Sequence, residues 1–254
     1  MLTLDRRQVV LGLLGVAVLG VIWQLATTHV TRMTTFPNTL EAGGAALAQL
    51  VDPEFWRQLR VSGFRWACGL GLAVGIGVPI GLVMGRHRRV HAVVDPLLTA
   101  MYPIPKASLI LLFVLLWGAG NGARIVAIAT GAIIPVIVSS YHGAAGVEER
   151  LLWSGRSLGW RAGRSMLSVV FPAALPQILN GIRIAISISI FVLVGSELLV
   201  RGSGIGNYLF NFYDVGQNSK VWGTALALAI VGWLLDSAYV AVVRLATPWM
   251  DGQV

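Results

Sequence analysis

Six long apolar runs, separated by shorter polar segments, dominate the pattern of hydrophobic and polar positions along the chain. They cover about residues 9–27, 64–85, 92–117, 122–142, 174–199 and 222–245. A helix needs roughly 20 mostly apolar residues to cross the hydrocarbon core of a bilayer, and these runs are about that long. The pattern therefore predicts an all-α membrane protein with about six transmembrane helices.

The polar segments indicate how the chain is divided. We expect residues 1–62 to hold the first transmembrane helix and an outer polar segment, with a short surface helix near residues 52–60. Residues 63–254 then form the core transmembrane domain. Small residues let helix backbones approach closely in a membrane, so the second run predicts tight helix packing. Its glycines are Gly69, Gly71, Gly75, Gly77 and Gly81.

The composition supports a chain that faces lipid. Only 12% of the residues are charged, whereas a soluble domain carries roughly 25%. The net charge of +8 would indicate nucleic acid in a soluble protein, but Lys and Arg also collect on the cytoplasmic side of membrane proteins. The basic clusters fall in alternate gaps between the runs: Arg6, Arg7, Arg86, Arg88, Arg89, Arg150, Arg156, Arg161, Arg164 and Arg244. This spacing predicts cytoplasmic termini and a bilayer, not nucleic acid, as partner.

The sequence lacks the motifs of several common chemistries. Its only lysines, Lys106 and Lys220, lie outside any G-x-x-x-x-G-K-[ST] motif, so no P-loop for ATP is present. The glycine-rich residues 202–206 lack a strand–turn–helix setting, and we interpret them as a tight turn. A single cysteine, Cys68, excludes an internal disulfide, and the scattered histidines predict no metal site. We expect no catalytic residue and no cofactor in this chain.

One polar segment, residues 148–176, is basic and helix-prone, and it lies between two apolar runs. Its four arginines exclude it from the bilayer core, where each charge is costly. Apolar residues lie along one side of this segment, and glycines recur every four residues at Gly155, Gly159 and Gly163. A pair of short amphipathic helices at the membrane surface is the expected structure, and such helices dock into grooves of partner proteins. An anchor on anionic lipid is the alternative.

This segment resembles the cytoplasmic loop of permease subunits of binding-protein-dependent ABC importers. The family signature is E-A-A, three residues, Gly, nine residues, then I-x-L-P. Gly159 takes the glycine position, and nine residues later the chain has residues 169–172, which end in Pro172. Gly159 suits the turn after the helix, where a left-handed conformation costs little, and Pro172 suits the first turn of the next span. Residues 153–155 take the E-A-A position, where Trp153 replaces the acidic residue. That departure leaves the strength and geometry of docking open.

A second stretch narrows the resemblance to the nitrate, sulfonate and taurine group of these permeases. Residues 104–106 (I-P-K) and 115–120 (L-L-W-G-A-G) look like the I-P-K and W-F-G-x-G stretches of that group. Residues 172–176, 181–183, Glu197 and Asp236 also fall where the group has similar residues. The resemblance covers about residues 55–250.

The resemblance implies a type I ABC importer permease fold, similar to MetI, with a cytoplasmic coupling helix in the loop around 148–170. It implies that two ATPase subunits, which bind ATP and Mg²⁺, dock on this loop. A solute-binding protein and a second permease, either a copy or a paralogue, complete the complex in a bacterial inner membrane. The substrate is expected to be a small anionic solute. The implied coupling residues are Trp153, Ser154, Gly155, Arg156, Ser157, Leu158, Gly159 and Pro172.

The third run is expected to break, because Pro103 and Pro105 each remove a backbone donor from a helix. A broken helix is tolerated at membrane depth where it lines a cavity. Lys106 follows the break and is a candidate for the transport pathway, although a structural pair or snorkelling would also explain it. The full set of candidate pathway residues is Tyr102, Pro105, Lys106, Ser187, Ser189 and Glu197.

Two further charges within the apolar runs have structural alternatives. Glu197 is either a gate or the ion-pair partner of Arg201, four residues later on the same helix. Asp236 is expected to pair with another helix. A secondary transporter driven by an ion gradient is the rival function, but it would show paired broken helices in an inverted repeat. Only one run is broken by proline.

Overall fold

The computed structural model describes residues 6–27 and 36–247, and this part of the chain is helical without a β-strand. A 3₁₀ turn spans Lys106–Ser108 and a π-helical turn spans Met166–Val170. The α-helices of the described residues are α1 (Arg6–Leu25), α2 (Thr39–Val51), α3 (Pro53–Arg86), α4 (Arg88–Met101), α5 (Leu109–Trp117), α6 (Asn121–Ala145), α7 (Glu149–Ser157), α8 (Ala162–Ser165), α9 (Phe171–Leu199), α10 (Ile205–Asp214) and α11 (Asn218–Ala246).

Four helical stretches of the described chain are long and apolar enough to cross a membrane. They are Pro53–Arg86, Asn121–Ala145, Ala162–Leu199 and Asn218–Leu245, of 34, 25, 38 and 28 residues. They coincide with the second, fourth, fifth and sixth apolar runs. The stretch Ala162–Leu199 joins α8, the π-helical turn and α9 into one continuous helix.

The first and third runs form shorter helices. The first contributes the apolar part of α1, Val10–Leu25. The third is divided into α4 and α5, and the interruption begins directly before the two prolines, as predicted. Proline cannot donate a backbone hydrogen bond, and the residue before it avoids the helical region, so two prolines spaced by one residue end a helix.

The predicted surface helix near residues 52–60 is wrong. Those residues form the start of α3, which then continues without interruption to Arg86. The carboxylate of Asp52 accepts a hydrogen bond of 2.9 Å from the backbone N–H of Glu54, and Pro53 is the first helical residue. A capping aspartate followed by proline favours the start of a helix, here the start of a long one. The expected domain boundary at residue 62 lies inside this helix.

The chain divides into two compact units. The first comprises residues 1–57 and 208–231. Within this unit, the ring centroids of Trp23 and Phe36 lie 5.1 and 5.4 Å from the ring centroid of Trp222. The hydroxyl of Tyr208 lies 2.7 Å from carboxylate Oδ2 of Asp52, and burial, followed by this hydrogen bond, raises the pKa of Tyr208 well above its ordinary value.

The second unit comprises residues 58–207 and 232–254, and α6 lies at its core. Alanine and branched side chains of α6 are buried, including Ala127, Ala132 and Val136. Small residues provide close contacts with α3 and α9, as the glycines of the second run predict. A Cβ on Gly81 would lie 2.5 Å from the carbonyl oxygen of Ile137. Gly69 and Gly77 make similar contacts, whereas Gly71 and Gly75 contact nothing within 4 Å.

This difference gives a matched test of packing within one helix. We expect Gly81→Val to destabilise the protein by about 1–3 kcal/mol, the usual cost of overpacking. Gly75→Val makes the same chemical change where no neighbour lies within 4 Å. Thermal unfolding in detergent should therefore show a lower melting temperature for Gly81→Val than for Gly75→Val. Equal melting temperatures would contradict the close α3–α6 contact.

Candidate functional site

The polar segment at 148–176 folds as a short helix, a turn and the start of a long helix. The short helix α7 is joined to α3 by an ion pair in which Nη2 of Arg86 lies 3.2 Å from Oε1 of Glu149. Leu152 is buried at 5% exposure in an apolar cluster that includes Leu82 and Val170. Trp153, the next residue, is 57% exposed. The first helix of the predicted pair is therefore present, with Leu152 buried and Trp153 exposed. The second is not a separate short helix, because it is the start of the long stretch Ala162–Leu199.

The turn after α7 depends on Gly159. Its φ is +71°, a left-handed conformation that costs glycine little, and a Cβ there would meet nothing within 4 Å. The backbone N–H of Trp160 donates 3.1 Å to the carbonyl of Gly155. This 6→1 bond is that of a Schellman motif, which ends a helix with glycine at its left-handed position. The sequence prediction for this glycine is confirmed.

Pro172 is the second residue of α9 and lies in its first turn, as predicted. The backbone before α9 is also helical, because α8 and the π-helical turn Met166–Val170 lead into it from Ala162. The N–H of Phe171 bonds to the carbonyl of Met166, five residues back. Proline has no N–H to continue an α-helical ladder, and the widened turn directly before it accommodates that missing bond.

Four of the eight residues of the predicted coupling set come together in one groove of about 470 Å³. Ser154, Gly155, Leu158 and Pro172 line it, together with Trp160. The guanidinium of Arg164 lies 5.1 Å from the ring centroid of Trp160. Trp153 and Ser157 are exposed, and the Ser157 hydroxyl donates to the Trp153 carbonyl at 3.0 Å. Arg156 lies in α7, as expected.

A second cavity, of about 290 Å³, lies at the break between α4 and α5. Tyr102 and Lys106 line it from the break, and α6 and α9 supply the rest of its wall. The Nζ of Lys106 donates 2.8 Å to the carbonyl of Tyr102 and lies 5.8 Å from the centre of its ring. Pro105 is exposed beside them, and Ser187 is exposed on α9. The structure thus brings Tyr102 and Lys106 together at one cavity.

The other two candidate pathway residues are buried away from that cavity wall. Ser189 is 0% exposed, accepts a hydrogen bond of 2.8 Å from Nε1 of Trp66 and donates to the carbonyl of Ile186. Among the serines of α9, Ser187 is exposed, whereas Ser189 and Ser196 are buried. Positions two apart on a helix point in nearly opposite directions, and positions seven apart point the same way.

Glu197 is the centre of a fully buried polar cluster. Its Oε1 lies 2.6 Å from Nη1 of Arg65, and both side chains are almost completely buried. The hydroxyl of Ser62 and the backbone N–H of Gly206 also donate to this carboxylate, at 2.8 and 3.0 Å. The ion-pair partner of Glu197 is therefore Arg65 on α3, which corrects the expectation of Arg201. A lone arginine and a lone glutamate in two apolar runs were the signal that sequence reasoning missed.

The remaining donors of Arg65 hold the glycine-rich turn at residues 202–206. Arg65 donates to the carbonyl and hydroxyl oxygens of Ser203 at 2.7 Å each, and to Oδ1 of Asn121 at 2.8 Å. Gly204 has φ +114°, and the Glu197 carboxylate occupies the space of its missing Cβ. The predicted tight turn is thus confirmed, and only glycine fits that position.

Asp236 pairs with another helix, as expected. Its two carboxylate oxygens accept hydrogen bonds of 2.9 and 2.8 Å from Nε and Nη2 of Arg183 on α9. Two parallel bonds fix a guanidinium against a carboxylate more firmly than a single contact does. Both side chains are partly exposed, at 45% and 36%.

Comparison with known proteins agrees with this architecture. The model of the family described as "Binding-protein-dependent transport system inner membrane component" matches residues 77–252, more than half of the chain. Over 241 residues the chain is 31% identical to the putative aliphatic sulfonates transport permease protein of Bacillus subtilis (strain 168), covering 94% of this chain and 87% of that protein. It is 29% identical over 252 residues to the taurine transport system permease protein of Escherichia coli (strain K12), covering 96% and 90%.

Two further comparisons agree. The nitrate import permease protein of Synechocystis sp. (strain ATCC 27184 / PCC 6803 / Kazusa) is 25% identical over 243 residues, covering 92% of this chain and 88% of that protein. A chain of the MetNI methionine ABC transporter, solved in inward facing conformations, has a TM-score of 0.66 at 20% identity. The match covers 76% of this chain and 98% of that one.

The fold and the family match together define a multi-pass membrane protein that is the permease component of a transporter. The chain belongs to the family of binding-protein-dependent transport system inner membrane components. It is an ABC importer permease of the sulfonate, taurine and nitrate group, with the type I importer fold. Members of this family are transport subunits and not enzymes themselves.

The buried pair Arg65–Glu197 leads to a test by a double-mutant cycle. Removing one partner leaves a buried charge uncompensated, which costs about 3–5 kcal/mol. We therefore expect Arg65→Met and Glu197→Gln each to lower the melting temperature strongly in detergent. The double variant should lose less stability than the sum of the two single losses, because it leaves no charge unpaired. Additive losses would contradict a direct ion pair.

Proposed function

We propose that this chain forms the transport path of an ATP-driven importer for a small anionic solute. The observation that carries the proposal is the coupling segment, which we define as residues 148–172. It presents an exposed helix, a glycine-terminated turn and a groove on one surface of a membrane-spanning unit. The chain itself has no P-loop, so the energy of ATP must arrive through a contact with another subunit.

ATPase subunits are the proposed partners of the coupling segment, and they bind ATP and Mg²⁺. An amphipathic helix that lies in an apolar groove is a common mode of recognition. Here Trp153 and Leu158 are 57% and 69% exposed, and both suit such a contact. The ion pair Arg86–Glu149 and the buried Leu152 connect α7 to α3 and to the apolar cluster below. A displacement of α7 by a closing ATPase pair would therefore be passed to membrane helices.

Trp153 stands where the family signature has an acidic residue. Its ring is exposed, and aromatic side chains bury a large area in protein interfaces. We propose that Trp153 contacts the ATPase subunit directly and replaces a charged contact by an apolar one. Ser154, Gly155, Arg156, Ser157 and Pro172 belong to the same proposed docking surface.

The rest of the complex follows from the family. We propose that a solute-binding protein delivers the substrate to the outer face, and that a second permease completes the path. That second permease is either a copy of this chain or a paralogue. Purification through a tag on this chain decides between them, because a second permease band excludes the homodimer. We also propose that residues 1–62 precede a core domain of residues 63–254.

The proposed location is the bacterial inner membrane, with both termini in the cytoplasm. The support is the arrangement of basic residues in alternate gaps, which the positive-inside rule assigns to the cytoplasmic side. The coupling segment then also faces the cytoplasm, where ATPase subunits are found. Sulfonates, taurine and nitrate, the solutes named for the relatives, are the proposed substrate class. Tyr102, Pro105, Lys106 and Ser187 are proposed to line the pathway, and Ser189 and Glu197 to support it.

Gly159 provides the direct test of docking, and the chain offers a matched control. Valine at Gly159 cannot adopt its left-handed backbone without strain, so the turn after α7 should distort. Gly216 has nearly the same geometry: φ is +70°, a Cβ would meet nothing within 4 Å, and Gln217 N–H bonds back to Phe212. We expect Gly159→Val to reduce copurification of the ATPase subunit at least about tenfold, an effect of roughly 1.4 kcal/mol.

Gly216→Val should retain the ATPase, since it strains a similar turn outside the coupling segment. Equal retention by the two variants would contradict docking through this segment. A permease that is stable and active with no ATPase attached would instead favour the gradient-driven transporter.

A further inference from the structure

We propose that the cavity at the break between α4 and α5 binds one small oxyanion, and that Lys106 supplies the charge that selects it. The inference rests on the proposed function for its place in transport, but the binding itself can be measured without transport. The cavity holds about 290 Å³ and is lined by Tyr102, Lys106 and Ser139 among apolar side chains of α6 and α9.

The cavity lies at the depth where a transported solute must pass. Its wall on α6 runs from Gly131 to Ser139, within the central half of that helix, and its wall on α9 is Ile184 and Ile188. Both helices are long enough to cross the membrane, so the middle of each lies near the middle of the bilayer. Lys106 thus lines a cavity beside the middle of two membrane-spanning helices, where a cation is a candidate functional group.

Three arginines of the membrane-spanning helices have partners, whereas Lys106 has no carboxylate partner in the described part of the chain. Arg65 pairs with Glu197, and Arg183 pairs with Asp236. Arg124 donates to the carbonyls of Ala119 and Val200. Among the described residues, no ion pair joins Lys106 to an acidic side chain.

The geometry at the break leaves donors of Lys106 for a ligand. One hydrogen of the ammonium group serves the Tyr102 carbonyl at 2.8 Å. An ammonium has three donors and no acceptor, and among the described residues the other two donors of Lys106 have no hydrogen-bond partner, so they can serve oxygen atoms of an anion. Ser139 is a further polar residue of the same wall.

The wall chemistry defines the class of ligand. A single cation suits a monoanion better than a dianion, because a second negative charge would remain uncompensated at membrane depth. Ile134, Ile184 and Ile188 add apolar surface to the cavity wall, and this surface suits a short hydrocarbon tail. Sulfonate, nitrate and carboxylate groups share the oxygen acceptors that the ammonium requires. A neutral or cationic solute of the same size lacks the pairing.

Differential labelling of the two lysines tests the binding directly. Lys106 and Lys220 are the only lysines of the chain, so Lys220 serves as an internal reference on the same molecule. The complete complex in detergent is treated with a small neutral amine-reactive reagent, with and without ethanesulfonate, and modification at each lysine is measured by mass spectrometry. Parallel samples contain nitrate, acetate or, as the neutral control, ethanol.

We expect ethanesulfonate to slow the modification of Lys106 and to leave Lys220 unchanged, while ethanol protects neither. Comparing the protection of Lys106 by nitrate and acetate with that by ethanesulfonate measures how much the hydrocarbon tail contributes to binding beside the charge. Labelling of Lys106 that is unaffected by all three anions overturns the proposal. Equal protection by ethanol overturns it too, because the cavity would then not select charge.

Transport by reconstituted complexes separates this proposal from the proposed function. The solute-binding protein determines the apparent affinity of uptake for the substrate. With this protein saturated, loss of the Lys106 charge should therefore appear in the maximal rate of uptake. We expect Lys106→Met to lower that rate for ethanesulfonate at least about tenfold, the equivalent of one charge-assisted hydrogen bond. Lys106→Arg, which keeps the charge, should retain most of the rate, and Lys220→Met should behave as the parent chain.

The ATPase subunit should remain attached to each of these three variants. If Lys106→Met has normal uptake and a bound ATPase, the proposed anion site is contradicted but the proposed importer function is not. Absence of any ATPase from the parent complex would instead contradict the proposed function, whatever the labelling shows.

Discussion

The structure depends on how it neutralises charge inside a membrane, and the pair Arg65–Glu197 is the clearest example. An unpaired charge at that depth is costly, so the carboxylate takes donors from Arg65, Ser62 and Gly206 at once. These donors lie on α3 and at the start of α10, and Arg65 also holds Ser203. One buried ion pair therefore ties three separate parts of the second compact unit to one point.

Features of the fold that depend on neighbouring residues follow from the sequence, whereas long-range pairs of charges do not. Apolar runs of membrane-spanning length predict helices directly, and Pro103 and Pro105 predict the break between α4 and α5, since both predictions use only local rules. The turn at Gly159 is likewise local. Long-range pairing is different: Arg65 and Glu197 are 132 residues apart, and no spacing rule links them. Helical spacing offered Arg201 as one partner for Glu197, but the distant helix α3 supplies Arg65, which is almost completely buried. The π-helical turn Met166–Val170 before Pro172 is not predicted, because such a turn has no sequence signature.

The candidate sites differ in the same way. The motif spacing placed Gly159 and Pro172 in one segment, and the structure brings Pro172 beside Ser154, Gly155 and Leu158. Ser154 and Gly155 lie on α7, whereas Pro172 lies on α9. Their convergence therefore depends on the turn at Gly159 and on Leu152, which packs in the apolar cluster. The result is an exposed surface attached to membrane helices, which is what the proposed docking of an ATPase subunit needs. It also explains why a chain without a nucleotide motif can belong to an ATP-driven system.

Uptake by the reconstituted complex, with ATP on one side only, tests the central claim most directly. Permease, ATPase and binding protein are placed in liposomes, the proton and sodium gradients are collapsed, and entry of a labelled sulfonate is followed. The account predicts uptake only when the ATPase subunits have ATP, and its abolition by vanadate. Uptake without ATP that follows an imposed ion gradient would contradict it.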